Sequence, residues 1–564
     1  EQIYGAIEAL LADGAFREQA QLSCRHLLVD EFQDLTPAHV LLLRLLAAPG
    51  LDCFGVGDDD QVIYGHAGAD PGFLIDYERL FPQAADHPLE VNYRCPAPVV
   101  DTAVRLLSYN HRRVAKVIRS GARPDAEAGS PESVETGPKG TVGLRVRRHA
   151  AGGGAAELAA TVTGWIGAGA APSSVAVLSR VNSMLLAPHV ALVEAGVPID
   201  SVVRADVLNR TGLRAALAYV RIATAPDGHI AGRDVVEVLR RPSRGLPPWF
   251  ADRLRRRSKW SEGGLLDIIG TVPDKDAPKV ERLVDDLVAI RSAAASGTNT
   301  ARLLRLVRVD VGLGGAMSLL DGGKGGEGSS HVDDLEALEQ VAGLHDDPAT
   351  LEDWLVGRLE HSDDDAGVVV STVHRVKGME WDRVAVYGVT AGILPHRLAE
   401  DEEEERRVLH VAITRGRREV VVLVDTARPS PFVDEMSGAA PHVAPGAASK
   451  RQAPATRKAT PGGATPVGVT GGSRGPRGGR DAPEPGGDPA LEEALRTWRR
   501  ERARTDGVPA YVVFADRTLR AIAATRPSTL ASLRTVDGIG PTKLELYGED
   551  ILAVVASASA GTDA

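Results

Sequence analysis

"HLLVDEFQDLTPAHV", residues 26–40, drives a short apolar run into a knot of polar side chains: Asp30, Glu31, Gln33 and Asp34, interrupted only by Phe32. An apolar helical pattern resumes at Val40. A strand that ends in carboxylates suits a divalent cation and a water at the carboxyl edge of a parallel sheet. "LDCFGVGDDDQVIYG" (51–65) repeats the design, its strand ending in Asp58, Asp59, Asp60 and Gln61. Such strands alternating with helices predict an α/β, doubly wound parallel sheet whose strand ends carry the site.

At 564 residues the chain exceeds a single core and predicts several units. A net charge of −11 excludes a uniformly basic nucleic-acid binder but not a local basic groove. Cys24, Cys53 and Cys95 are far apart and form no C-x-x-C pair. They predict a reducing compartment with neither a disulfide framework nor a zinc site. No apolar run approaches the roughly 20 residues that cross a bilayer, so no membrane partner is expected.

Residues 1–25 carry helical spacing, and "SSVAVLSRVNSMLLAPHVALVEAGVPID" (173–200) reads as a strand and a helix closed by Gly196. Residues 205–365 lose the strand signal and predict a helical insertion. Alternation resumes with "AGVVVSTVH" from 366. The predicted division is 1–88, 89–204 with 366–426, the insertion 205–365, a tether 427–487 and a terminal module 488–560. Within the tether, residues 450–480 have seven basic residues, no acidic ones, and abundant Gly, Pro and Thr, the composition of a disordered arm.

Asp30 is placed to hold Mg²⁺ and Glu31 to take a proton from water in phosphate-ester hydrolysis; a solvated strand end is the plainer alternative. Gln61 can orient a water or read a phosphate, with Tyr64 and His66 set to lie against a base; a polar turn explains them equally. In "LEVNYRCPAPVV" (89–100), Arg94 suits bidentate phosphate contact and Tyr93 can stack on an adenine; an arginine paired with a carboxylate explains Arg94 equally. "VVVSTVHRVKGMEWDRVAVYGV" (368–389) gathers Thr372, His374, Lys377 and Glu380 in a turn between strands. "EEEERRVLHVAITRGRREVVVLV" (402–424) ends a charged helix in Thr414-Arg415, where an arginine can serve phosphoryl transfer; a solvated charged face is the plainer alternative.

Taken in order, DEFQD, GDDDQ-x-IYG, NYR, T-x-H-x-x-KG-x-E-W and EEERR…TR resemble the UvrD/Rep-type superfamily-one DNA helicases over residues 1–426. The resemblance implies two RecA-like domains that clamp ATP and move single-stranded DNA across their top, with 3′-to-5′ polarity. It implies ATP and Mg²⁺ as cofactors, and single-stranded and duplex DNA as partners alongside repair or replication proteins. A cytoplasmic, nucleoid-associated location goes with these. By the same resemblance, Asp30 serves Mg²⁺, Glu31 is the catalytic base, and Gln61 senses the γ-phosphate and links it to Tyr64 and His66. Tyr93 stacks on adenine, Glu380 meets the ribose, and Arg94 and Arg415 touch the γ-phosphate. Thr372 and His374 lie near the DNA backbone. "RPSRGL" (241–246) resembles the family's Pro-x-Arg-Gly-Ile-Gly stretch, with Leu246-Pro247 replacing Ile-Gly.

The chain departs from the family in three places. His66 stands where an aromatic, often Trp, is usual, beside Ala67 where Arg is common. His410 replaces a common Tyr. No G-x-x-x-x-G-K-[S/T] string occurs; "GGKGGEG" lacks the Ser/Thr after Lys and falls in the helical insertion. The family places this loop upstream of DEFQD, so the first RecA-like domain is expected to be incomplete here and the chain to hydrolyse ATP poorly.

"GVPAYVVFADRTL", "RPSTLASL" and "GIGPTKLELYG" resemble the HRDC domain of RecQ-type helicases and RNase D. A small all-α module follows, with Val513, Phe514, Leu519 and Ile522 as its core face. Gly538, Gly540 and Lys543 are its candidate phosphate contact. Residues 488–564 hold ten Lys/Arg against eleven Asp/Glu, so DNA binding and protein contact both remain open. The whole chain admits two other readings. A helicase–nuclease subunit needs an Asp…Glu-x-Lys cluster where the HRDC-like module sits. A non-hydrolysing remnant fits poorly with Glu31, Gln61, Arg94 and Arg415 all intact.

Overall fold

A computed structural model describes residues 2–24, 26–47, 52–82, 84–121, 143–269, 271–321, 329–360, 365–441, 489–505, 516–534, 536 and 541–560. It divides into two compact units, residues 1–451 and 452–564.

In the first unit the strand ahead of the acids is β1 (His26–Val29). It pairs in parallel with β2 (Asp52–Gly55), His26 facing Asp52 and Val29 facing Gly55. This register carries DEFQD and GDDDQ to the same end of the pair. Residues 2–24 form two helices, Gln2–Ala12 and Gly14–Ser23, because Asp13 interrupts the run and caps the second through Ala15 and Phe16 N–H. A second parallel pair joins β3 (Val91–Asn92) to β4 (Arg119–Ser120).

The large sheet comprises β5 (Gly143–His149), β6 (Val175–Ser179), β7 (Ile199–Ser201), β10 (Val368–Thr372), β11 (Trp381–Tyr387) and β12 (Gly416–Asp425). Its order is β5-β12-β11-β6-β10-β7, and every pair is parallel. Such strands are covered on both faces and read as unbroken apolar runs. One face (Ala176, Leu178, Val384, Val386, Val420, Val422) packs on the helices Ala97–Leu107 and Glu402–Ile413. The other (Val175, Val177, Val368, Val370, Val421, Leu423) shares its core with the helical region. The alternation along each strand is the period-two signature of a pleated sheet.

Strands β7 and β10 are neighbours in space, yet nine α-helices, a 3-10 helix (Ala205–Asn209) and a small antiparallel pair, β8 (Ile230–Ala231) with β9 (Lys259–Trp260), lie between them among the described residues. The helical character read for 205–365 is therefore present, with that pair added. β7 carried no separate sequence signal: three residues, "IDS", are too short to show periodicity.

The tether does not begin at 427. Phe432–Ser437 forms a helix with Phe432, Val433 and Met436 buried, Arg105 donating to Met436 O (2.8 Å) and Tyr109 Oη to Ala440 O (2.6 Å). Three apolar residues within "RPSPFVDEM" suffice to dock it, a signal that the surrounding Pro and Ser obscured. Residues 442–488, with the basic stretch, lie outside the described residues.

The second unit is helical: Pro489–Thr505, Asp516–Thr525, Leu530–Leu533 and Pro541–Ala560 surround Leu491, Leu495, Leu519, Ile522, Tyr547 and Ile551. Leu519 and Ile522 are core as expected; Val513 and Phe514 lie outside the described residues. No helix of the described residues is long and apolar enough to cross a membrane.

Candidate functional site

The chain leaves β1 through an unusual turn. Glu31 has φ 50° and ψ 44°, left-handed backbone that costs a non-glycine residue about 1–3 kcal/mol. Phe32 holds the turn: it is fully buried, its ring 5.0 Å from that of Tyr77, and its N–H donates to Val56 O (2.9 Å). The exposed Asp30 accepts the Glu31 N–H on Oδ1 (2.9 Å). Gln33 is 1% exposed and bridges the two acidic turns. Its Nε2 donates to Glu31 Oε2, and its Oε1 accepts the Asp58 N–H at 2.9 Å.

The second turn is a 3-10 helix, Asp59–Gln61, capped by Asp58, which also accepts Gln61 Nε2 on Oδ2 (2.8 Å). Two residues on, Ile63 is fully buried in the core beneath the large sheet, so this turn is anchored there. Asp58, Asp59 and Asp60 converge, and the Lys116 ammonium stands among them at 2.5, 2.6 and 2.9 Å. Burial pushes the Asp58 carboxyl up, but Lys116 and His410 outweigh it and hold it near 2. Asp59 is raised by burial and by Asp60.

Opposite stands Arg415. The helix Glu402–Ile413 starts with four glutamates at its positive dipole end and an Asp401 cap, and it delivers Arg415 just past its C-terminus. The guanidinium is 1% exposed. It donates to Val411 O (3.0 Å), Met379 O (3.2 Å) and Gln61 Oε1 (3.5 Å). Among the described residues, no carboxylate stands at ion-pair distance from it. Burial, then the charge of Arg94, lowers its pKa to about 10. Arg94 follows an Asx turn in which Asn92 Oδ1 accepts the N–H groups of Arg94 and Cys95 (both 2.9 Å), and its Nε pairs with Glu380. Glu380 also meets Arg417 at 3.4 Å. Tyr93 is 78% exposed beside them.

A third group forms a ring cluster. Tyr64, His66 and His374 lie with ring centroids 6.0–6.3 Å apart, and Tyr64 Oη donates to His374 O at 2.6 Å. Burial, then Arg180 and His66, lowers His374 to about 3, so its ring is neutral. Lys377 pairs with Asp34 (2.5 Å), stands 3.8 Å from Glu31 and 5.3 Å from the Tyr64 ring, and so connects the first acidic turn to the rings. Gly65 N–H donates to Glu404 Oε1 (2.9 Å), and a Cβ there would stand 2.5 Å from Glu404 Oε2.

Glu31, Arg94 and Glu380 are thus brought within electrostatic reach of Arg415, which Gln61 touches, with Asp30 and Tyr93 exposed, and Tyr64, His66 and His374 share one patch. Thr372 is buried at the end of β10 and offers that patch little surface. Arg244 of "RPSRGL" is turned inward, 2.6 Å from Asp286 and 3.3 Å from Tyr219 Oη. The Lys543 side chain, Gly538 and Gly540 lie outside the described residues. Sequence reasoning missed Gln33, Arg113, Lys116 and Arg417. For two of these the signal was present as Asn-x-x-Arg-x-x-Lys at 110–116.

Models of known families match three stretches: the UvrD/REP helicase N-terminal domain at residues 2–82, the UvrD-like helicase C-terminal domain at 349–425, and the HRDC domain at 488–555. The ATP-dependent DNA helicase UvrD2 of Mycobacterium tuberculosis (strain H37Rv) is 30% identical over 574 residues, covering 97% of this chain and 69% of that protein. The putative ATP-dependent DNA helicase YjcD of Bacillus subtilis (strain 168) is 27% identical, covering 71% of this chain and 52% of its own length. PcrA of Staphylococcus epidermidis (strain ATCC 12228) is 24% identical, covering 73% and 56%. A solved D. radiodurans RecQ HRDC domain matches 12% of this chain and 90% of its own at 47% identity, with a TM-score of 0.12.

Proposed function

This chain belongs to the UvrD-like family of DNA helicases, and from that premise we propose that Glu31, Gln61, Arg94 and Arg415 surround the terminal phosphate of ATP. The observation that carries the reading is Arg415. A buried guanidinium is normally met by a carboxylate, because an unpaired buried charge is costly. Among the described residues this one meets only two carbonyls and an amide oxygen, so it is set to receive an anion.

Mg²⁺·ATP fits the residues present: Asp30 keeps an exposed carboxylate for the ion, and Tyr93 an exposed ring for the base. When bound, it supplies an electrophilic phosphate in which the ion offsets negative charge. Glu31 is held through Oε2 by Gln33 and by its strained backbone, and its half-exposed side chain leaves the other carboxylate oxygen, Oε1, to take a proton from water. Gln61 stands between Asp58 and Arg415, where its amide registers the phosphate and passes that state through Ile63 to Tyr64 and His66. Glu380 contacts the ribose when Arg94 leaves it for the phosphate. The rings of Tyr64, His66 and His374 form the surface for single-stranded DNA, with Thr372 behind them. We read residues 1–88 as part of one motor domain, 89–204 with 366–426 as the other, and 205–365 as its insertion, with duplex unwound 3′-to-5′ in repair or replication. The HRDC domain, including Lys543, adds DNA contact.

The test is Glu31→Gln in a polypeptide that joins this chain to a G-x-x-x-x-G-K-[S/T] loop. ATP binding persists, and unwinding of a 3′-tailed duplex, preferred over a 5′-tailed one in the parent, is abolished. Undiminished strand separation would show that Glu31 is not the base.

A further inference from the structure

The segment "NHRRVAK" (110–116) has no part in the roles described so far, yet it meets both halves of the proposed nucleotide site. On one side it takes all three acids of the GDDDQ turn. Arg113 forks onto Asp60 (Nη2–Oδ2 2.7 Å, Nε–Oδ1 3.2 Å), Val114 N–H donates to Asp59 Oδ2 (2.8 Å), and Lys116 Nζ reaches all three. On the other side it grips the first turn of the helix that ends in Arg415. His111 and Arg112 N–H donate to the Glu403 carboxylate (2.7 and 3.1 Å), and Arg407 Nη2 donates to Arg112 O (2.7 Å).

We propose that Lys116 is a positioning residue: its ammonium holds Asp58, Asp58 holds the amide of Gln61, and Gln61 is thereby kept facing Arg415. The chain of contacts is continuous. Lys116 Nζ meets Asp58 Oδ1 at 2.5 Å, Asp58 Oδ2 accepts Gln61 Nε2 at 2.8 Å, and Gln61 Oε1 accepts Arg415 Nη2 at 3.5 Å. Because Asp58 occupies the amide's nitrogen end, the oxygen end is the one presented to Arg415. Orientation of Gln61 is therefore set by a lysine 55 residues away. The three carboxylates take a side-chain ammonium, a guanidinium and a backbone N–H as partners, so the group is a bracket rather than an acidic surface. The importance of this orientation rests on the reading of Gln61 as the phosphate-sensing residue; the bracket itself does not.

The test uses hydrogen exchange of the 564-residue chain without nucleotide. Lys116→Met removes the charge facing Asp59 and Asp60, which are each 2% exposed, so the 3-10 turn opens locally. Amides of residues 58–63 then exchange at least about tenfold faster, while those of β6 and β12 keep their rates. Lys116→Arg restores most of the protection, which tertiary ballast of another kind would not. Should Lys116→Met prove unfolded, Asp58→Asn cuts the relay at its middle and leaves Lys116 with Asp59 and Asp60. It is expected to loosen the turn locally in the same way. Unchanged exchange at 58–63 in both variants overturns the proposal, as does a uniform rise across the large sheet. Since no nucleotide is present, either result stands apart from the Glu31→Gln experiment, which decides the catalytic reading.

Discussion

Replacing Arg415 by alanine separates a catalytic arginine from a structural one, because the structure makes the two consequences differ. Truncation leaves Met379 O without its donor, at about 1–3 kcal/mol if it stays dry, whereas Val411 O keeps Thr414 Oγ1 at 3.2 Å. It also relieves the cost of burying a guanidinium with no carboxylate. Lowering that pKa from the ordinary arginine value to about 10 corresponds to about 3 kcal/mol at about 1.4 kcal/mol per unit. The terms oppose one another, so urea-unfolding stability of the 564-residue chain should change by no more than about 2 kcal/mol. Turnover should not be spared. An arginine acting on the transferred phosphoryl group is worth about 10³–10⁵ in rate. Phosphate release, followed with single-stranded DNA in a polypeptide joining this chain to a phosphate-binding loop, should fall at least about a thousandfold. Arg415→Lys should recover little, since an ammonium cannot reach Gln61 and two carbonyls in a planar fork. Turnover within tenfold of the parent, or a loss matched by an equal loss of folded protein, would refute the reasoning.

Two further outcomes follow from the same contacts. Burial holds His410 near 4 despite the pull of Asp60 and Asp58, with Lys116 and Arg415 opposing protonation. Its folded pKa is thus below the ordinary 6.5, and the unfolded chain gains a proton that the native one refuses as pH falls from about 6.5 towards 4. Urea titrations should show about 2 kcal/mol lost on this account between pH 7.5 and 5, and His410→Leu should flatten that part of the profile; an unaltered slope would refute it. Removing residues 442–564, and not the docked helix before them, should weaken single-stranded DNA binding and reduce its logarithmic salt slope by about 2 or more, while the 1–441 remainder melts as before. An unchanged salt slope would mark the arm as a protein-docking element.

What was legible in the sequence was whatever lies within one turn. Asp30 and Glu31 could be placed at a strand end because the strand runs directly into them, and the parallel register of β1 with β2 then put Gln61 at the same edge. Thr414-Arg415 could be placed at a helix end for the same reason. The orientation of those groups is another matter, because it is set by partners remote in the chain. Gln33 faces Asp58, Lys377 faces Asp34, and Lys116 faces the acids of the GDDDQ turn. None of these pairs has a periodicity that a window of residues would reveal. The same limit explains Thr372 and Arg244: residue type suggested contact with a nucleic acid, whereas burial is decided by what packs above the strand end or the loop. It also explains the docked helix at Phe432–Ser437, whose apolar face is only three residues wide and acquires meaning from the helix Ala97–Leu107 beneath it. A motor site built across separate parts of a chain is therefore readable in its chemistry long before it is readable in its alignment. Alignment is the property that the bracket at 110–116 supplies, and it is where a substitution far from DEFQD would be felt at Gln61.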